Sequence, residues 1–172
     1  MRDTIMSAAA AARSGDGYAM THGWLFTGPP GSGRSTAALA FAAALMCENP
    51  DEIGCGRCAG CRDALAGTHT DLVRVVPEGV FITVDFVREE IVKTAARLPT
   101  VAPWRVVIIE DADRLNEQAA DALLKTVEEP PARTVIIMCA PSDAPEDFSQ
   151  TLRSRCRHLY IPSPSVESIT AQ

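Results

Sequence analysis

The sequence predicts an α/β fold: a doubly wound parallel sheet with flanking helices. Three observations predict it. Short apolar runs near Trp24–Phe26, Leu72–Val76, Val106–Ile109, Val135–Cys139 and Leu159–Ile161 alternate with helical patterns, the order that builds right-handed crossover units. Four of the runs show little inside–outside alternation, as strands covered on both faces do. A glycine-rich turn joins the first run to the first long helical pattern, where helix N-termini receive anions.

The elements follow in order. Met1 to Arg13 is Ala-rich and reads as a short helix, and Gly17 to Trp24 leads into the first strand. Ser35 to Met46 is again Ala-rich and helix-forming. Asp85 is placed to cap a helix running to about Leu98, with Val87, Ile91, Val92 and Ala95 on one face. Asn116 is placed to cap another, with Ala120, Leu123, Leu124 and Val127 spaced i, i+3, i+4, i+7. Pro130 and Pro131 stop that helix. Pro145 suits the first turn of a short helix ending near Ser154. The expected organisation is a helical segment over 1–22, one core over 23–162 and a polar tail over 163–172.

The chain has 172 residues, 47% of them hydrophobic, and 16 Lys+Arg against 22 Asp+Glu for a net charge of −6. The length fits about one domain of ~100–200 residues, with an ordinary core and no need of staples. Long disorder, collagen and a disulfide mini-protein are excluded. No run reaches ~18 uncharged apolar residues, so no membrane span is expected. The N-terminus lacks the basic-then-apolar order of a secretory leader, so a cytoplasmic protein is expected. The acidic balance argues against a strong autonomous grip on nucleic acid, which needs a basic face. It is compatible with a complex whose other subunits supply the positive field.

Thr27-Gly28-Pro29-Pro30-Gly31-Ser32-Gly33-Arg34-Ser35-Thr36 follows a strand and opens a helix. Glycines let backbone N–H groups converge on phosphate oxygens, and the helix adds its positive dipole end. The spacing G-x-x-x-x-G-x-S is that of a phosphate-binding P-loop, with the Ser35 hydroxyl where such loops ligand Mg²⁺. ATP with Mg²⁺ is the ligand this loop type takes. The expected lysine is Arg34, however. A guanidinium is wider, planar and differently hydrated than an ammonium, and fits the space beside a γ-phosphate poorly. The loop therefore reads as structurally intact and catalytically degenerate, with a relic loop holding a structural anion or nothing as the rival.

The run Arg105 to Ile109 ends in Glu110, Asp111 and Asp113. P-loop ATPases place an Asp for Mg²⁺ and a water-polarising acid at such a strand end. Here the order is Glu110 then Asp111, which moves each carboxylate by about one methylene, and misplacements of ~1 Å are costly to catalysis. A solvated strand end or a capping acid is the rival.

Four of the six cysteines form Cys47-x7-Cys55-x2-Cys58-x2-Cys61 among Gly54, Gly56 and Gly60. The spacing suits tetrahedral Zn²⁺ in a closed, structural shell. A redox or disulfide cluster and an iron–sulfur cluster are the rivals. Cys139 lies in an apolar run and is expected in the core.

Leu123-Leu124-Lys125-Thr126-Val127-Glu128-Glu129-Pro130-Pro131, followed by Thr151-Leu152-Arg153-Ser154-Arg155-Cys156, resembles bacterial clamp-loader subunits of DNA polymerase III, of the AAA+ class. The four-cysteine insert is similar to the zinc module of that family. The resemblance covers about Gly23 to Pro162 and implies an AAA+ RecA-like core. The ATP-hydrolysing tau/gamma branch keeps Lys in the loop and Asp-Glu at the acidic strand end. This chain has Arg34 and Glu110-Asp111 and so resembles the delta-prime branch more closely, a largely rigid stator. The family implies that the Ser-Arg-Cys arginine reaches a neighbour's ATP in trans; carried over by motif, that residue is Arg155. Ser154, at the helix end, is placed to help orient the loop, and Cys156 is expected to pack.

The resemblance also implies partners: tau/gamma and delta subunits, and through them the sliding clamp and primer–template DNA. Own ATPase activity is expected to be weak or absent; the alternative is an ATP-hydrolysing motor subunit using Arg34, Ser35 and Glu110. A nucleotide kinase is a weaker rival that leaves the Ser-Arg-Cys element unexplained. The family's helical lid and collar have no counterpart here, so a fragment of a longer protein is expected.

Overall fold

A computed structural model describes residues 22–29, 33–49, 54–76, 79–93, 104–129 and 133–161. The expected helix over Met1 to Arg13, the tail over 163–172, and Pro30, Gly31, Ser32, Pro130 and Pro131 lie outside the described residues.

Five parallel strands form one sheet in the order β2-β3-β4-β1-β5. They are β1 (Gly23–Thr27), β2 (Leu72–Val75), β3 (Arg105–Ile109), β4 (Thr134–Ala140) and β5 (Arg157–Tyr160). β1, β3 and β4 are buried throughout, and the edge strands β2 and β5 are buried only in part. That is why the central runs carry no alternation: both faces are covered. The register pairs Thr27 with Ala140 and Ile109 with Met138. The C-terminal ends of β1, β4 and β3 therefore share one edge, with the ends of β1 and β3 two strand spacings apart, roughly 10 Å.

Each face has its own core. On one, α1 (Arg34–Met46) lies against Trp24, Phe26, Val106 and Ile108. α2 (Ala59–Ala66) packs on α1 from outside through Cys61 and Ala64. α1 is therefore buried from Phe41 to Met46 without a break, and small alanines suit a helix squeezed between two layers. Phe41 stands 5.1 Å from Trp24 and 6.4 Å from Phe26, ring to ring. Such pairs add about 0.5–1.5 kcal/mol beyond burial and fix α1 against β1 on either side of the Gly-rich loop.

The other face carries α3 (Val84–Phe86) with the π-helical turns Val87–Val92 that continue it, α4 (Glu117–Glu128) and α5 (Gln150–Arg155). The Asn116 side chain accepts from the Ala119 N–H at 2.8 Å and caps α4 as expected. Ala120, Leu123 and Val127 are buried, while Leu124 is only partly so.

Two caps differ from expectation. Thr83, not Asp85, accepts from the Phe86 N–H at 3.3 Å and starts α3. Asp85 falls inside the first turn, where it still favours the helix dipole. Ser149, not Pro145, heads α5, its hydroxyl accepting from the Leu152 N–H at 3.4 Å. Pro145 sits in a turn beforehand, tied by Asp147 and Phe148 N–H groups on the Ala144 carbonyl. Among the described residues, no helix is long and apolar enough to cross a membrane.

Candidate functional site

The loop after β1 starts flush with the sheet, because the Gly28 N–H donates to the Ala140 carbonyl at 3.2 Å. Gly33 ends the loop with φ of 87°, a left-handed conformation that costs a residue with a Cβ roughly 1–2 kcal/mol. No side chain caps the N-terminus of α1, so its first N–H groups are left to the loop and its contents.

The charged residues around this loop are engaged with one another. Arg34 Nη1 donates to the Gly28 carbonyl at 2.6 Å, and Nη2 lies 3.5 Å from Asp111 Oδ1. The Ser35 hydroxyl donates to Glu110 Oε2 at 2.5 Å. Arg74 Nε donates to Glu110 Oε1 at 3.0 Å. Asp111 adopts φ of 52°, a region Asp tolerates better than most residues. Burial, helped by the Asp111 charge, raises the Asp113 carboxyl above its usual range. The structure thus brings together Gly28, Gly33, Arg34, Ser35, Glu110 and Asp111. Pro29 lies in the loop and Thr36 in the first turn of α1. Arg34 uses both terminal nitrogens on the protein and Glu110 both oxygens. Among the described residues, a cation reaching Glu110 would have to displace Ser35 or Arg74.

The second cluster is the cysteine loop. The Sγ atoms of Cys47, Cys55, Cys58 and Cys61 all lie within 4.8 Å of one another, and Cys58 Sγ is 3.9 Å from Cys47 Sγ, with no disulfide. Tetrahedral Zn–S bonds of ~2.3 Å place sulfurs about 3.8 Å apart, so the donor set fits the ion. Backbone N–H groups of Arg57 and Cys58 donate to Cys55 Sγ at 3.4 and 3.3 Å, and those of Glu48 and Cys61 to Cys58 Sγ at 3.3 Å each. These bonds orient the ligands, and those to Cys58 outweigh burial and lower its thiol. Burial raises the Cys47 thiol, but hydrogen bonds from the Cys55 and Asn49 backbone and neighbouring thiols more than offset it, bringing it to about 6. Burial pushes Cys61 up to about 12.

The arginines in and beside the Ser-Arg-Cys element, Arg153, Arg155 and Arg157, separate. Arg153 pairs with Asp143 at 2.7 Å, Arg155 with Glu128 at 3.2 Å, and Arg157 lies 5.0 Å over the Trp24 ring. Arg155 is 59% exposed and ends α5 beside Gly23, the first residue of β1. The Gly-rich loop leaves the other end of β1, roughly 13 Å away at ~3.3 Å per residue.

A family profile described as DNA polymerase III, delta subunit, matches residues 10–165. The chain belongs to that family.

Among curated relatives of this family member, the DNA polymerase III subunit delta' of Escherichia coli is 40% identical over 155 residues, covering 87% of this chain and 45% of the relative. That of Pseudomonas aeruginosa is 37% identical over 146 residues, covering 83% and 44%. The DNA polymerase III subunit tau of Bacillus subtilis is 34% identical over 155 residues, covering 88% and 26%. The chain thus spans less than half the length of these relatives. Among solved structures, a gamma-subunit-related protein of Thermotoga maritima superposes with a TM-score of 0.60 at 22% identity, covering 83% of this chain and 42% of that one. The RuvB branch-migration motor of the same organism gives 0.60 at 17% identity, covering 99% and 47%. These likenesses establish the AAA+ fold.

One residue of this DNA polymerase III family member, Arg74, escaped expectation. Ser154 donates to the Thr151 carbonyl at 2.7 Å, within its own helix. Cys156 packs as expected, with a Cβ on Gly23 falling 3.3 Å from its sulfur. Arg74 was hidden inside an apolar strand run. The signal was a lone cation in an edge strand beside the strand that ends in acids.

Proposed function

We propose that this chain is the AAA+ module of a delta-prime-type clamp-loader subunit in the bacterial cytoplasm. It works beside tau/gamma-type and delta-type subunits to place a sliding clamp on primed DNA. Residues 23–162 form the core and 47–61 its zinc module. Its own ATP site is degenerate, and Arg155 serves a neighbour's ATP in trans.

The observation that carries this reading is the placement of Arg155. Its side chain is exposed and pairs with Glu128, and it stands at the opposite end of β1 from its own Gly-rich loop. It cannot reach its own phosphate site, but it is free to meet another. A guanidinium delivered from a second subunit stabilises charge developing on a γ-phosphate and makes hydrolysis depend on assembly, with effects of roughly 10³–10⁵ in other P-loop systems. The test is Arg155→Ala in a clamp loader reconstituted with tau/gamma-type and delta-type partners. DNA-stimulated ATP hydrolysis should fall at the site served, while stability moves by less than about 0.5 kcal/mol, as for an exposed side chain. Unchanged turnover removes the assignment.

Cys47, Cys55, Cys58 and Cys61 hold a structural Zn²⁺ in this reading. A Cys₄ shell leaves no open coordination position, so the ion supplies rigidity and no chemistry.

A second reading, an ATP-hydrolysing motor subunit, is favoured by one contact. Ser35 and Glu110 meet directly, as the loop hydroxyl and the strand acid do where they share a Mg²⁺. Brisk ATP turnover by the isolated subunit, abolished by Ser35→Ala, would establish it in place of the first.

A further inference from the structure

We infer that Arg74 is the residue that holds this chain's nucleotide site shut to a divalent cation. The inference rests on the degenerate ATP site proposed above and names what closes it.

The fold dictates the contact. β2 pairs with β3 in a register that sets Arg74 opposite Ile108. Glu110 lies two residues beyond Ile108, and the Glu110 N–H donates to the Val75 carbonyl at 2.9 Å, so the ladder continues to that point. Side chains two apart share a face, and diagonal neighbours on paired strands lie within reach of long side chains. Arg74 and Glu110 therefore meet on the face that also carries α1 and Ser35. The result is a carboxylate with Arg74 on one oxygen and Ser35 on the other. The Glu110 side chain is 11% exposed and that of Arg74 41%, so the carboxylate end of the contact is largely shielded from water while the guanidinium is partly solvated.

Mg²⁺ needs oxygens at about 2.0–2.1 Å in near-octahedral order and gives up water reluctantly. To reach Glu110 it must displace a guanidinium already in place and then sit beside that positive charge. Arg34 alone does not produce this block, because its contacts are to Gly28 and Asp111. A reversion of Arg34 to lysine would leave Glu110 occupied.

The test is ATP binding by the purified protein, measured with Mg²⁺ present and with the metal chelated. Wild type should respond to Mg²⁺ less than twofold. Arg74→Ala should bind ATP at least tenfold more tightly with Mg²⁺ than without, while its circular dichroism stays that of wild type. Arg74→Lys, which keeps the charge, should stay with wild type, a distinction a merely structural role would not make. Should Arg74→Ala fail to fold, Arg74→Gln, which keeps a polar chain but removes the charge, carries the same expectation. If wild type itself gains tenfold from Mg²⁺, the degenerate-site reading falls and this inference with it. If wild type and Arg74→Ala are both indifferent to Mg²⁺, the degenerate site stands and the role of Arg74 falls. Arg74→Lys behaving like Arg74→Ala would also overturn it.

Discussion

Gly60 sits against the end of α1, where the chain leaves almost no room. A Cβ there would lie 2.2 Å from the Met46 carbonyl oxygen, a backbone atom. The neighbour cannot rotate away, so helix α2 would have to shift outward and take Cys61 with it. Overpacking of this kind costs typically 1–3 kcal/mol. Gly60→Ala should lower the urea midpoint accordingly and weaken metal retention at the same time. Wild-type stability and full metal retention in that variant would show that α2 moves freely over α1. Gly33 is required for a different reason: nothing lies within 4 Å of a Cβ there, but φ is 87°. Both glycines were visible in the sequence as parts of glycine-rich loops. Which one is held by crowding and which by backbone conformation was not, since crowding belongs to a helix distant in sequence.

The helix that carries Arg155 is short, and polar contacts dock it as much as packing does. Leu152 is its one buried residue. Arg153 donates to Asp143 at 2.7 Å, and His158 lies 3.6 Å from the same oxygen. The Arg153 hydrogen bond holds the Asp143 carboxyl below its usual value. A carboxyl lowered on folding contributes stability that is present above the ordinary carboxylate range near pH ~4 and is lost as pH falls through the lowered value. Asp143→Asn should therefore unfold at a lower temperature than wild type near neutral pH and match it in strong acid. Equal melting temperatures across the whole range would show that the pair does not dock α5. The expected helix here had the right end, but its start was set by the Ser149 hydroxyl and not by Pro145. A capping hydroxyl satisfies a backbone donor that a proline four residues earlier cannot reach.

At the scale of the molecule, two apolar cores lie on opposite faces of one sheet. Among the described residues, the cysteine loop packs on the first of them, through Cys47, Cys61 and the outer side of α1. Metal removal should thus act locally. Chelation should raise hydrogen exchange through Cys47–Gly67 and leave the buried strands β1, β3 and β4 protected, and metal analysis of the untreated protein should give about one Zn per chain. Loss of protection across the sheet would mean that the ion holds the whole domain. A metal-free, fully folded protein would overturn the zinc assignment. The layering also explains the Ala-rich α1, which has a strand layer beneath it and α2 above.

What the sequence settled by itself was local. Unbroken apolar runs marked strands buried on both sides, the i, i+3, i+4 pattern and Asn116 marked α4, and the cysteine spacing marked four sulfurs able to meet. Each signal arises within a few residues of the chain, because backbone periodicity and ligand geometry act over that range. Tertiary structure alone decided who occupies Glu110, where Arg34 turns, and that Arg155 stands at the far end of the strand from its own loop. Those outcomes depend on strand order and register. Register brings Arg74 to Glu110 across 36 positions of sequence, and no local pattern carries that information.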